Sequence, residues 1–130
     1  DVELKGEPVP AVIGVLEAAR GPALDRAIVS SFEPPTLAWI GRERPAWPRW
    51  LNALDLSPLT IAIATDAGCS GVSAEWPEID EAGVARAHAA GLDVAAWTVR
   101  DLVTYRRLEA LGVVAVCAEA EALDAGGPAV

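Results

Sequence analysis

Short β-branched runs alternate along this chain with longer segments of helical period, and that alternation is the signature of βα units built around a parallel sheet. Asp1-Val-Glu-Leu-Lys5 reads as an opening strand. Residues 11–19 predict a helix with Val12, Leu16 and Ala19 on one face, stopped by Gly21-Pro22, and Ala27 to Ser31 predicts the next strand. A helix over Pro35 to Arg44 follows a proline pair suited to a first turn, and Trp50 to Leu54 gives a weaker strand. Residues 58–67 fit helix or strand, because Ile61-Ala-Ile-Ala carries both periods; Gly68-Cys-Ser-Gly71 punctuates either. Gly71 to Glu75 is a short strand, Ile79 to Ala90 an amphipathic helix closed by Gly91, and Leu92 to Val99 the strongest strand. Asp101 caps a helix through Ala110 with Gly112 beyond it, and Val113 to Ala118 is the last apolar strand.

Five or six parallel strands, each followed by a helix, fit an open doubly wound sheet or part of an eight-stranded (β/α)8 TIM-type barrel, and periodicity does not choose. Gly68-Cys-Ser-Gly71 lacks the spacing of a dinucleotide fingerprint, so no nucleotide fold is indicated. One domain over residues 1–124 and a frayed tail over 125–130 complete the organisation. The chain begins on Asp1 inside a strand, without an initiating Met or a cap, and reads as part of something longer.

A formal charge of −9 argues against a nucleic-acid partner or an anionic membrane surface, both of which demand clustered Lys and Arg. No apolar run approaches the roughly 20 residues of a bilayer span, which predicts a soluble chain. Cys69 and Cys117 have neither zinc spacing nor disulfide density; they read as two independent buried thiols, with a reducing, cytoplasmic compartment as the default.

Period two on the opening strand turns Val2 and Leu4 to one side and projects Glu3 and Lys5 together to the other. A carboxylate and an ammonium side by side on a strand built for burial suit a place that holds a divalent cation next to an anionic oxygen. The bland alternative is a solvated strand-edge pair of little energetic weight.

DVELK at the start, IVSSFEPPTLAWI from Ile28, HAAGLDVAAWTVRD from His88 and LEALGVVAVCAEAEAL from Leu108 together resemble, in order and spacing, the C-terminal half of glycerophosphodiester phosphodiesterases. The resemblance implies roughly the second half of a (β/α)8 barrel that hydrolyses glycerophosphodiesters to glycerol 3-phosphate and an alcohol, using calcium or magnesium. Glu3 matches a metal ligand of the family's Asn-x-Glu-x-Lys strand, and Lys5 the lysine beside the phosphate. Ser31-Phe32 matches the Ser-Phe at the next strand end, and Trp97 a tryptophan lining the substrate pocket.

Two departures bear on substrate preference and activity. Val114, Ala115, Ala118 and Glu119 stand at the Asp, Gly, Thr and Asp places of the family's last strand, and Arg100 replaces the usual Asn after Trp97-Thr-Val. The family's His-Arg-Gly strand, Glu-x-Asp pair and second histidine, which supply general acid, base and further metal ligands, have no counterpart in these residues. Glu3 alone should hold a metal weakly, because such a cation takes about six oxygen ligands. The 130 residues by themselves are expected to be inactive.

His88, the only histidine, lies mid-helix and reads as structural or exposed. Trp97 serves equally as a core aromatic or a pocket wall on residues alone. Trp39, Trp47, Trp50 and Trp76 read as packing or loop residues, Glu119 and Glu121 as acids at a helix start, and Asp66 and Glu75 have no evident partner. Such barrels run to about 250 residues, so the open edges require a covering partner, either an N-terminal half or a second copy. The non-enzyme alternative is a half-barrel that dimerises as a binding or scaffold module. An unrelated sugar-phosphate barrel half, with an anion near the final strand, is a third.

Overall fold

In the computed structural model, which describes residues 1–124, six parallel strands lie side by side in chain order. They are β1 (Val2–Glu3), β2 (Val29–Ser31), β3 (Arg49–Ala53), β4 (Gly71–Glu75), β5 (Asp93–Val99) and β6 (Ala115–Ala118). Between them run α1 (Ala11–Arg20), α2 (Pro34–Glu43), α3 (Pro58–Asp66), α4 (Glu81–Ala89) and α5 (Leu102–Ala110), with 3₁₀ turns at Trp76–Glu78 and Ala120–Asp124. Sequential order, without the reversal of a doubly wound sheet, makes this a curled part of a (β/α)8 barrel. A closed barrel of that type has eight strands; among the described residues β1 and β6 are edges. The tail read at 125–130 lies outside the described residues.

Local chemistry explains the elements. Ser57 Oγ accepts from Thr60 N–H and Pro58 opens the first turn, so residues 58–66 become α3 despite their mixed period. Asp80 and Asp101 accept from Gly83 N–H and Thr104 N–H, capping α4 and α5. Gly91 ends α4 at φ +76°, a left-handed conformation that glycine reaches without steric cost.

Several boundaries move inward. The opening strand pairs only over Val2–Glu3, although Leu4 N–H still reaches Ser30 O at 2.7 Å. In α1 the buried positions are Ile13 and Leu16, with Ala19 exposed, so the buried stripe is rotated from the expected one.

Strand parity divides the sheet into two faces. Val29, Leu51, Val72, Val94, Ala96 and Val99 turn toward the helices and join Leu37, Ile40, Ile61, Ala64, Val84, Ala87 and Leu108 in one core. The opposite, lumen face carries a row in cross-strand register from Glu3 through Ser30, Trp50 and Gly71 to Asp93. A Cβ on Gly71 would lie 2.5 Å from Trp50 Cε2, so only glycine lets the indole lie flat there. Trp47 is buried and donates from Nε1 to Pro22 O at 2.8 Å; Trp50 is buried, and Trp39 and Trp76 are half-buried. Arg49, at the foot of β3, is buried against Gly41 and Gly68 and donates to Trp47 O and Gly68 O, tying the end of α3 to the sheet.

Candidate functional site

A pocket of about 360 Å³ opens on the lumen face, lined by Asp1, Glu3, Lys5, Phe32, Asn52, Ser73, Trp97, Thr98 and Cys117. Period two carries Asp1, Glu3 and Lys5 to the same side, while Val2 and Leu4 pack on the core. Glu3 and Lys5 are exposed, and neither enters an ion pair or a side-chain hydrogen bond among the described residues. The strand-edge ion pair of the bland reading is therefore not formed, and both charges face the pocket free.

The next strand end supplies the aromatic wall. Ser31 is buried, donates to Leu4 O at 2.7 Å and accepts from Glu33 N–H at 3.0 Å, fixing the backbone on which Phe32 projects. Phe32, 46% exposed, meets Trp97 edge to face, with ring centroids 5.9 Å apart at 78°. Trp97 donates from Nε1 to Ser73 O at 3.0 Å, which locks the indole across β4 and β5. The Trp97–Thr98 peptide is cis. Glu3, Lys5, Phe32 and Trp97, the four residues singled out in the sequence, thus border one cavity.

Asn52 and Ser73, which also line the pocket, escaped sequence reading. Asn52 and Ser73 are cross-strand partners on β3 and β4. Asn52 Nδ2 donates to Ser30 Oγ at 3.2 Å, and Ser30 Oγ donates to Asp1 Oδ2 at 3.0 Å, a relay from β3 through β2 that orients the carboxylate of Asp1, the residue before β1. Parity was the signal that could have found them: each is a polar residue at the lumen position of a strand whose other face is apolar.

Cys117 corrects an expectation. The two thiols were expected to be buried; Cys117 is exposed in the pocket, on β6, which is an edge strand among the described residues. Cys69 is half-buried behind α3, and burial pushes its thiol up to about 11. His88 is exposed on α4, away from the pocket. Glu119 stands directly before the Ala120–Asp124 turn, the helix start at which the sequence places it, and also pairs with Arg100 at 3.0 Å in exposed positions.

Asp1 and Glu3 offer the oxygen ligands a hard divalent cation prefers. Among the described residues, however, no three His, Cys, Asp or Glu side chains gather as a metal-binding group. Donor chemistry fits such an ion, and donor number does not.

A sequential parallel α/β barrel wall with a charged and aromatic pocket on its lumen rim defines the class of protein. The model of the glycerophosphoryl diester phosphodiesterase family matches residues 11–120, and the chain belongs to that family. β1, with Glu3 and Lys5, lies outside the matched segment. No curated protein matches the chain. Among solved structures, a Silicibacter pomeroyi protein assigned as a glycerophosphoryl diester phosphodiesterase aligns with TM-score 0.77 at 23% identity, over 91% of this chain and 45% of that one. A glycerophosphodiester phosphodiesterase from Parabacteroides distasonis aligns with TM-score 0.70 at 20% identity, over 89% and 51%. An Oleispira antarctica phosphodiesterase in complex with the product sn-glycerol-3-phosphate aligns with TM-score 0.65 at 24% identity, over 70% and 37%. At these identities the likeness establishes the fold, and the chain spans about half or less of each structure's length. No helix among the described residues is long and apolar enough to cross a membrane.

Proposed function

We propose that this chain is the C-terminal part of the catalytic barrel of a metal-dependent glycerophosphodiester phosphodiesterase acting in lipid metabolism, and that the 130 residues alone do not turn over. The observation that carries the reading is the convergence of Glu3, Lys5, Phe32 and Trp97 on one lumen pocket. In it Lys5 places an ammonium where a phosphoryl group gains negative charge during displacement. Phe32 and Trp97 form an apolar corner that holds the glycerol or alcohol moiety. Glu3 would supply one carboxylate to a calcium or magnesium site. Such an ion would supply Lewis-acid chemistry there. His88 is exposed on α4, so the described residues hold no imidazole at the pocket to activate water or protonate a leaving alkoxide.

Unpaired edges at β1 and β6 support a covering partner, whether further barrel strands or a second copy. A second reading, a non-catalytic half-barrel that dimerises as a binding module, draws on the same edges. The test combines turnover and binding. With calcium and a glycerophosphodiester the 130 residues should release no glycerol 3-phosphate, yet should bind glycerol 3-phosphate weakly, with affinity reduced about tenfold or more in Lys5→Ala through loss of a charge-assisted contact. Release of glycerol 3-phosphate by these residues would overturn both the predicted inactivity and the binding-module alternative. Binding indifferent to Lys5 would remove the site.

A further inference from the structure

Behind the charged mouth of the pocket lie two polar side chains whose oxygens have no hydrogen-bond partner among the described residues. Asn52 and Ser73 are each 8% exposed, stand opposite one another in register on β3 and β4, and both line the cavity. Ser30 gives its single hydroxyl proton to Asp1, so it can only accept from Asn52, which fixes the amide nitrogen toward Ser30 and turns Oδ1 the other way. Asn52 Oδ1 and Ser73 Oγ make no hydrogen bond among the described residues, whereas the sole fully enclosed polar side-chain atom without a partner there is Arg49 Nε. The two oxygens therefore reach the cavity. The same cross-strand row continues to Ala95 and Ala115, whose small side chains offer no further polar group. Trp97 closes one side, held by its hydrogen bond to Ser73 O.

We propose that Asn52 and Ser73 form a hydroxyl-binding floor that selects ligands carrying free hydroxyl groups next to the phosphoryl group, an inference that rests on the rim reading above. Asn52 Oδ1 accepts from one ligand hydroxyl, and Ser73 Oγ donates to or accepts from a second. Phosphate held at Lys5 leaves the carbon chain of a polyol phosphate to extend inward along the Trp97 indole. Leaving these two oxygens without partners under an apolar ligand costs affinity, so the floor discriminates by what it would leave unsatisfied.

The experiment compares sn-glycerol 3-phosphate with propyl phosphate, the same carbon skeleton without the two hydroxyls. Binding to the 130-residue chain is followed by the indole ¹H–¹⁵N resonance of Trp97, assigned by its loss in Trp97→Phe. The expected result is a preference for glycerol 3-phosphate of about three- to tenfold in the native chain, collapsing toward one in Ser73→Ala and in Asn52→Ala. Equal affinity for the two phosphates in the native chain, or a preference that survives both substitutions, would overturn the floor and leave the rim reading standing. No response to either phosphate would overturn both.

Discussion

The two faces of this sheet are made by the same strands, yet they are different materials. Toward the helices stand Val29, Leu51, Val72, Val94, Ala96 and Val99, all buried in one apolar core. Toward the lumen stand Asp1, Glu3, Ser30, Asn52, Ser73, Trp97 and Cys117, polar or aromatic and grouped around or beneath a pocket. Removal of apolar area from water acts on the first face; hydrogen bonding and charge act on the second. Alternating parity lets one short strand serve stability and ligand contact through adjacent residues. Substitutions one position apart should therefore fail in different ways.

The largest expected effect falls on the helix side. Leu51 is 4% exposed between Trp50 and Asn52, and Leu51→Ala should destabilise the fold by about 2–5 kcal/mol through lost burial and a residual cavity. Urea unfolding followed by circular dichroism reads this as a lower midpoint. A loss below about 1 kcal/mol would mean that the helix layer repacks over the sheet and that the contrast between faces is weaker than drawn.

A smaller loss is expected where the lumen face is packed. Gly71 sits under the Trp50 ring, and a methyl group there would approach Cε2 to 2.5 Å, so Gly71→Ala should displace the indole at a cost of about 1–3 kcal/mol. Because the lumen is open in this chain, the ring has somewhere to go. The same unfolding experiment, together with a red shift in tryptophan emission as Trp50 becomes exposed, checks it; an unchanged midpoint would show that the row across β3 and β4 is not close-packed.

Strands, helices and caps were legible in the sequence because each carries a local signal: parity in β5, Asp80 and Asp101 before α4 and α5, Gly91 after α4. Residues 58–67 were not, since Ile61-Ala-Ile-Ala satisfies both periods; the deciding signal was Ser57-Pro58, a cap and first-turn proline. Barrel curvature was legible only through the family resemblance, because periodicity says which face is buried and nothing about how strands are ordered. The candidate site divides in the same way. Glu3 and Lys5 stood out as charges on a short strand, and Phe32 and Trp97 through the resemblance. Asn52 and Ser73 carry no motif, and their importance arises from cross-strand register, a tertiary property. The exposure of Cys117 was not legible, because an apolar run does not reveal that its strand lies at the sheet edge.

The gentlest probe of the two faces is thiol reactivity, which leaves the fold intact. Cys69 packs against the core, and burial holds its thiol up at about 11, so at pH 8 only about 0.1% of it is the reactive thiolate. Cys117 is exposed in the lumen pocket. With limiting iodoacetamide at pH 8, mass spectrometry should find Cys117 carboxamidomethylated first, with Cys69 lagging more than tenfold and accelerating as pH rises toward 11. Added glycerol 3-phosphate should slow Cys117 alone, since only that thiol shares the cavity with Lys5 and Trp97. Equal labelling of both residues would mean that the helix-side layer opens as readily as the lumen. Protection of Cys69 in place of Cys117 would put the ligand on the wrong face of the sheet.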